Sequence, residues 1–225
     1  EKSNYAEDIM YLSGCYQPNI ANRPSLRDVT KKDYGFENSE LIFASFGQSL
    51  KITKDMFSVW MRLLQKVPNS ILWLLTTNNA CETNLRRFAK DEFQITEDKI
   101  IFAKKVDFDE HIQRHQIIDL FLDTFPYNAH TSASDALWAG CPIISLSGET
   151  FASRVAGSIL TEIGCPELIV SSIAEYEEMA IDLAMHPDKL SGLKQKILAQ
   201  KESSNLFKPK NFTLDFERKL INLMG

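Results

Sequence analysis

Six short apolar runs, each parted from the next by one helical pattern, constrain this chain more than any other feature in it. The runs are Leu41-Ile42-Phe43-Ala44-Ser45-Phe46, Ile71-Leu72-Trp73-Leu74-Leu75, Ile100-Ile101-Phe102, Leu120-Phe121-Leu122, Pro142-Ile143-Ile144-Ser145 and Leu168-Ile169-Val170. A strand that is apolar along its whole length is covered on both faces. A single helix between successive strands is the crossover that a parallel pair needs. The pattern predicts an α/β fold, a Rossmann-like doubly wound parallel sheet with helices on both sides.

The helical stretches support this reading. Thr53 is placed to cap a helix that runs to Val67, with Phe57, Trp60, Met61 and Leu64 on one face and Pro68-Asn69 as its stop. Further helices are expected around residues 82–90, 109–115, 134–138 and 151–163. The C-terminal part reads as helices over 173–185, 189–201 after a break at Pro187, and 214–224. Residues 1–37 differ: they are polar, and Pro18, Pro24 and Gly35 punctuate them. So small and polar a segment is marginal as an independent domain. It is expected to be a linker or to lie on another domain, and residues 38–225 form the sheet domain.

Charge and cysteine content narrow the function. The 225 residues hold 25 Lys and Arg against 30 Asp and Glu, a formal charge of −5, which argues against a general nucleic-acid surface. Cys15, Cys81, Cys141 and Cys165 are far apart with no CxxC pair, so neither a structural zinc site nor a redox dithiol is expected. They read as small buried or half-buried thiols in a reducing compartment. No apolar run approaches the ~18 residues of a membrane span, and the segment from Glu1 has no signal-peptide pattern. A start at Glu1 reads as a piece of something longer.

An open parallel sheet binds ligands beyond the carboxyl ends of its strands. The loop after the first strand, Gly47-Gln48-Ser49-Leu50-Lys51, lacks both GxGxxG and the Walker pattern. Gln48 and Lys51 can still hold a phosphate, one by hydrogen bonds and one by charge; a Lys beside a helix start also suits a plain surface. After the fourth strand, His130-Thr131-Ser132 sits where a helix begins. Free backbone N–H groups, two hydroxyls and an imidazole there make an anion cradle. Asp135 follows in the first turns and can accept from ribose hydroxyls. The same residues also suit a simple Thr/Ser cap, with Asp135 complementing the helix dipole. In Asp109-Glu110-His111-Ile112-Gln113-Arg114-His115, Ile112 stands where a zinc-protease HExxH needs Glu, so a metal site is not expected. His111 and Arg114, one turn apart, can clasp a flat ring. Asp123 and Glu149 follow strands, but nothing marks them as an acid/base pair.

At this point the sequence resembles the O-GlcNAc transferase/SPINDLY family, particularly its bacterial tetratricopeptide-repeat members. The matching stretches include Cys15-Tyr16-Gln17-Pro18-Asn19, Lys51-Ile52-Thr53, the run from Val67 to Leu75, and His130-Thr131-Ser132 with Asp135. The strongest are Asp135-Ala136-Leu137-Trp138-Ala139-Gly140-Cys141-Pro142 and Gly148-Glu149-Thr150-Phe151-Ala152-Ser153-Arg154-Val155. The resemblance runs from about residue 5 to the end.

It implies the C-terminal, donor-binding domain of a metal-independent, inverting GT-B glycosyltransferase that uses UDP-GlcNAc and modifies Ser or Thr of proteins. His130, Thr131 and Ser132 would contact the diphosphate and Asp135 the ribose. Gln48 and Lys51 would reach the phosphates, with Lys51 offsetting leaving-group charge. His111, Arg114 and main-chain groups near Val106 would border the uracil. Two positions depart: Phe108 stands where the animal enzymes carry Lys, and Ser132 where Thr is usual. The family's N-terminal Rossmann half and its acceptor-binding repeats are not within these residues, so residues 1–37 would be the inter-domain connection and the isolated domain would not transfer sugar. Exposed apolar residues are expected on the last helix, around Leu214–Met224, where it packs on that absent half. A GDP-fucose donor and a non-catalytic nucleotide-binding or scaffold module are the competing readings. No cofactor, nucleic-acid partner or membrane contact is implied, and the location expected is cytoplasmic.

Overall fold

The computed structural model describes residues 5–76 and 78–224. Residues 1–4, the start of the expected linker, lie outside the described residues. Six strands form one sheet: β1 (Leu41–Ser45), β2 (Ser70–Leu75), β3 (Ile100–Ala103), β4 (Leu120–Leu122), β5 (Ile143–Leu146) and β6 (Ile169–Val170). Their order is β3-β2-β1-β4-β5-β6 and the pairings are parallel. The helices between them are α1 (Lys54–Lys66), α2 (Asn79–Phe93), α3 (Phe108–His115), α4 (Thr131–Trp138) and α5 (Val155–Glu162). After β6 come α6 (Ile173–Met185), α7 (Pro187–Lys201) and α8 (Pro209–Met224).

The expected doubly wound sheet is therefore present, and its register follows from burial. Phe43 pairs with Leu72 on one side and Leu120 on the other, and all three are fully buried. Thr53 Oγ1 accepts from Met56 N and starts α1, whose Phe57, Trp60, Met61 and Leu64 enter the core. The strand order reverses between β1 and β4, so the loops leaving these two strands part and open a crevice.

Several boundaries differ from the sequence reading. α4 starts at Thr131 rather than near Ser134, with His130 as the cap residue and no side-chain cap bond. The helix expected over 151–163 is broken. Thr150 and Ser153 form a capping box that closes a 3-10 turn over Phe151–Ser153, and α5 begins only after Arg154. The expected break at Pro187 is present after α6, but α7 starts at Pro187 itself, a position that needs no N–H donor, rather than at Lys189. α8 likewise begins at Pro209, not at Leu214.

Two glycines are required by shape. Gly140, in the turn from α4 to β5, has φ 80°, and a Cβ there would meet Leu198 at 2.7 Å. Gly148, after β5, leaves room for Ser153 Oγ, which a Cβ would approach to 2.6 Å.

The segment expected as a linker is fastened to the domain it precedes. Cys15 is buried, Asn19 Nδ2 donates to Leu206 O at 2.8 Å, and Trp138 Nε1 donates to Pro24 O at 2.8 Å. Further back, Ser13 N donates to Asp215 Oδ2 on α8. α8 leaves Leu214, Phe216, Leu220, Ile221 and Leu223 exposed. Among the described residues no helix is long and apolar enough to cross a membrane.

Candidate functional site

Two loops at the carboxyl edge of the sheet make a cleft of about 520 Å³, a size suited to a small organic ligand. From the β1 side come Phe46, Gly47, Gln48, Leu50 and Lys51; from the β4 side come Tyr127, His130, Thr131 and Ser132. Gln48, Lys51, His130, Thr131 and Ser132, singled out from sequence, are thus brought together. The backbone turns 3-10 over Ser49–Lys51, which leaves Leu50 outward at 94% exposure and brings Lys51 back across the crevice. Its Nζ donates to Asn128 O at 2.9 Å and lies 4.0 Å from the Tyr127 ring centroid. Burial holds the ammonium below its ordinary pKa, against the pull of the Asp123 carboxylate.

His130 is enclosed by aromatic rings. Tyr127 stacks on it at 5.1 Å, and Tyr16 and Phe151 meet it edge-on. Its Nδ1 is 3.3 Å from the Tyr16 hydroxyl. Its Nε2 is buried without a hydrogen bond of normal geometry, and the Ala152 backbone lies beside the ring. Burial first, and the Lys51 charge second, keep this imidazole below its ordinary pKa and hence neutral at pH 7. A neutral imidazole at the cap of α4 carries one N–H donor beside free backbone N–H groups.

The sequence reading missed what holds this loop. Asp123 directly follows β4 and is buried. Its Oδ1 accepts from Thr124 N at 2.8 Å and Ala129 N at 2.6 Å, and its Oδ2 accepts from Ser145 Oγ at 2.6 Å. Burial pushes its pKa up to about 7 despite these donors. Asn128 adds bonds from Nδ2 to Thr124 O and Leu146 O. The available signal was an Asp directly after an apolar strand and a Ser in the next strand, β5. Nothing in the sequence pairs these two.

Asp135, His111 and Arg114 form a second group behind the cleft. Asp135 is buried, and its Oδ1 accepts from Arg23 Nη1 at 2.8 Å. Its Oδ2 lies 4.0 Å from His111 Nε2. Arg114 Nη2 donates to His111 Nδ1 at 2.6 Å and its Nη1 to Lys104 O. The acceptor role of Nδ1 places the His111 proton on Nε2, toward Asp135. Burial, then the Arg114 charge, pushes the His111 pKa down to about 4. Arg114 is buried with its guanidinium 4.5 Å from the Phe46 ring centroid, so in this conformation it braces His111 and presents no open face to a ligand ring. Val106 is exposed in the loop before α3, and Phe108, 42% exposed, begins that helix. Phe46 touches both groups, lining the cleft and facing His111. Among the described residues no cluster of three His, Cys, Asp or Glu is arranged to hold a metal ion.

Comparison with known proteins gives this geometry a family. The model of glycosyl transferase family 41 matches residues 21–216. A probable UDP-N-acetylglucosamine–peptide N-acetylglucosaminyltransferase SEC from Arabidopsis thaliana is 36% identical over 95% of this chain. A UDP-N-acetylglucosamine–peptide N-acetylglucosaminyltransferase from Caenorhabditis elegans is 33% identical over 95%. The chain spans only 22% and 19% of those two relatives. An O-GlcNAc transferase variant from Thermobaculum terrenum superposes with a TM-score of 0.84 at 23% identity, over 96% of this chain and 41% of that one. WaaG, a glycosyltransferase of lipopolysaccharide biosynthesis, shares the fold at a TM-score of 0.61 and 12% identity, over 82% of this chain and 49% of that one.

Proposed function

The chain belongs to glycosyl transferase family 41, and on that premise we propose that it is the donor-binding domain of a protein O-glycosyltransferase using UDP-GlcNAc. The observation that carries the reading is the convergence of Lys51, His130 and the α4 N-terminus on one cleft. The UDP diphosphate lies against Thr131, Ser132 and the free N–H groups of α4, with the His130 imidazole at the cap of that helix as a further donor. Lys51, with Gln48 beside it, meets the negative charge that grows on the departing UDP as the bond to the sugar breaks. A cation and helix N–H groups already in place cost little reorganisation when that charge develops. The diphosphate charge is then met by protein groups alone. Asp135 takes the ribose, and His111 and the main chain near Val106 border the base.

Residues 1–37 connect this domain, residues 38–225, to a preceding half and to repeats that carry the acceptor protein. The small fraction of each relative that the chain spans supports this, as does the exposed apolar face of α8. Sugar transfer therefore needs the full-length protein. Four free cysteines are consistent with a reducing, cytoplasmic setting.

The test is a transfer assay with the full-length protein, an extract-derived Ser/Thr protein mixture as acceptor, and labelled UDP-GlcNAc or GDP-fucose. Label from UDP-GlcNAc on Ser or Thr is the expected result. Label only from GDP-fucose moves the reading to a fucosyl donor, for which Phe108 is the relevant departure. No label from either, with the protein folded, leaves the scaffold reading.

A further inference from the structure

The connector touches the candidate donor site in register. The Tyr16 hydroxyl meets His130, Gln17 Nε2 donates to Thr131 Oγ1 at 3.3 Å, Arg23 pairs with Asp135, and Pro24 O holds Trp138. The charged pair among these contacts is Arg23 with Asp135, at 2.8 Å with side chains only 2% and 7% exposed. Arg23 is itself fixed from behind. Its Nη2 donates to Asn19 Oδ1 at 2.7 Å, and Asn19 in turn donates to Leu206 O. Its guanidinium carbon lies 5.3 Å from the Phe207 ring centroid and 5.9 Å from that of Trp138. One continuous chain of contacts therefore runs from the 3-10 turn at Asn205–Phe207 through Asn19 and Arg23 to Asp135.

A buried carboxylate needs a partner to stay ionised, and it needs a fixed rotamer to aim its second oxygen. Arg23 supplies both. It takes Oδ1 and leaves Oδ2 on the side of His111 as a free acceptor. We propose that Arg23 is a positioning residue of the donor site, acting through Asp135, and that the connector segment Tyr16–Arg23 is part of that site rather than a tether. This rests on the assignment of Asp135 to the donor made above. Arg23 touches no donor atom. It sets the charge and direction of a group that does.

The experiment is a double-mutant cycle on the full-length protein, Arg23→Met and Asp135→Asn singly and together, with UDP affinity by calorimetry, donor KM, kcat and thermal melting. A hydrogen bond to a charged group is worth ~1.5–3 kcal/mol, so each single variant is expected to weaken UDP by roughly 10–100-fold. The loss is expected in KM with kcat nearly unchanged, because a ribose contact is made equally in ground and transition states. The double variant is expected to bind no more weakly than Asp135→Asn alone. Arg23→Lys, which keeps the charge but cannot bridge Asn19 and Asp135 with one fork, is expected to fall between wild type and Arg23→Met. A merely structural Arg23 would instead lower the melting temperature and add its loss to that of Asp135→Asn. Additive losses, or wild-type affinity in a folded Arg23→Met protein, overturn the proposal. If Arg23→Met does not fold, wild-type affinity in Arg23→Lys overturns it. If Asp135→Asn binds UDP normally, the donor assignment of Asp135 fails first and the proposal falls with it.

Discussion

The Lys51 ammonium lies 4.0 Å from the centroid of the Tyr127 ring, and that ring stacks on His130 at 5.1 Å. One aromatic side chain thus joins the cation of the β1 loop to the imidazole of the β4 loop. Removing Lys51 should cost transfer far more than stability, because its partners are a main-chain carbonyl and a half-exposed ring. Lys51→Ala is expected to lower kcat by ~10²–10³-fold, the cost of losing one preorganised charge stabiliser. Its melting temperature should stay close to wild type. Unchanged glycosylation by this variant would remove Lys51 from the mechanism.

Tyr127 is a milder case. A cation–π contact at a partly exposed site is worth ~0.5–1 kcal/mol. Tyr127→Leu, which gives up that contact and the stack on His130, should weaken UDP by less than about tenfold. Calorimetry on the two proteins measures this directly. A loss as large as that of Lys51→Ala would mean that the ring itself contacts the donor.

Asp123 separates charge from hydrogen bonding. Its folded pKa of about 7 lies above the ~3.9 of an unfolded Asp. Between those values the folded state holds a proton that the unfolded state has lost, so this group's contribution to stability falls as pH rises through that window. Asp123→Asn keeps an acceptor for Thr124 N and Ala129 N without the charge. Its melting temperature relative to wild type should therefore be more favourable at pH 8 than at pH 5. Asp123→Ala abandons three donors and should lose stability at both pH values, by roughly 1–3 kcal/mol for each buried donor stranded.

The buried histidines act in the opposite sense. His111 is pushed down to about 4 and His115 well below its ordinary value, both chiefly by burial. Unfolding lets them protonate near their ordinary value of ~6.5. Stability from this source is complete above that value and is lost as pH falls toward 4. His115→Gln should shrink the fall in melting temperature between pH 6.5 and 5. An unchanged fall would show that other groups carry the acid sensitivity.

The sheet was legible because its strands are apolar throughout: Phe43, Leu72 and Leu120 have no polar face to solvate and must lie in the interior. The cleft was legible in part, since Lys51, His130, Thr131 and Ser132 sit directly after β1 and β4. The break at Arg154 was not, because a capping box between Thr150 and Ser153 outweighs the helical pattern around it. The Arg23–Asp135 pair was not legible either. Its partners are 112 residues apart, and the segment that carries Arg23 has the composition of a free linker. Arg114 shows the same limit from the other side. Its spacing from His111 suggested a clasp for a ligand ring, whereas Phe46 already fills that place.

The central claim is a donor site built on the α4 N-terminus from protein groups. Calorimetric titration of the full-length protein with UDP in EDTA, wild type against His130→Ala, tests it most directly. The account predicts that UDP binds wild type equally with and without EDTA, and that His130→Ala weakens it by about tenfold or more, the cost of one hydrogen bond to a charged group. UDP binding that disappears in EDTA, or equal affinity in a folded His130→Ala protein, would contradict it.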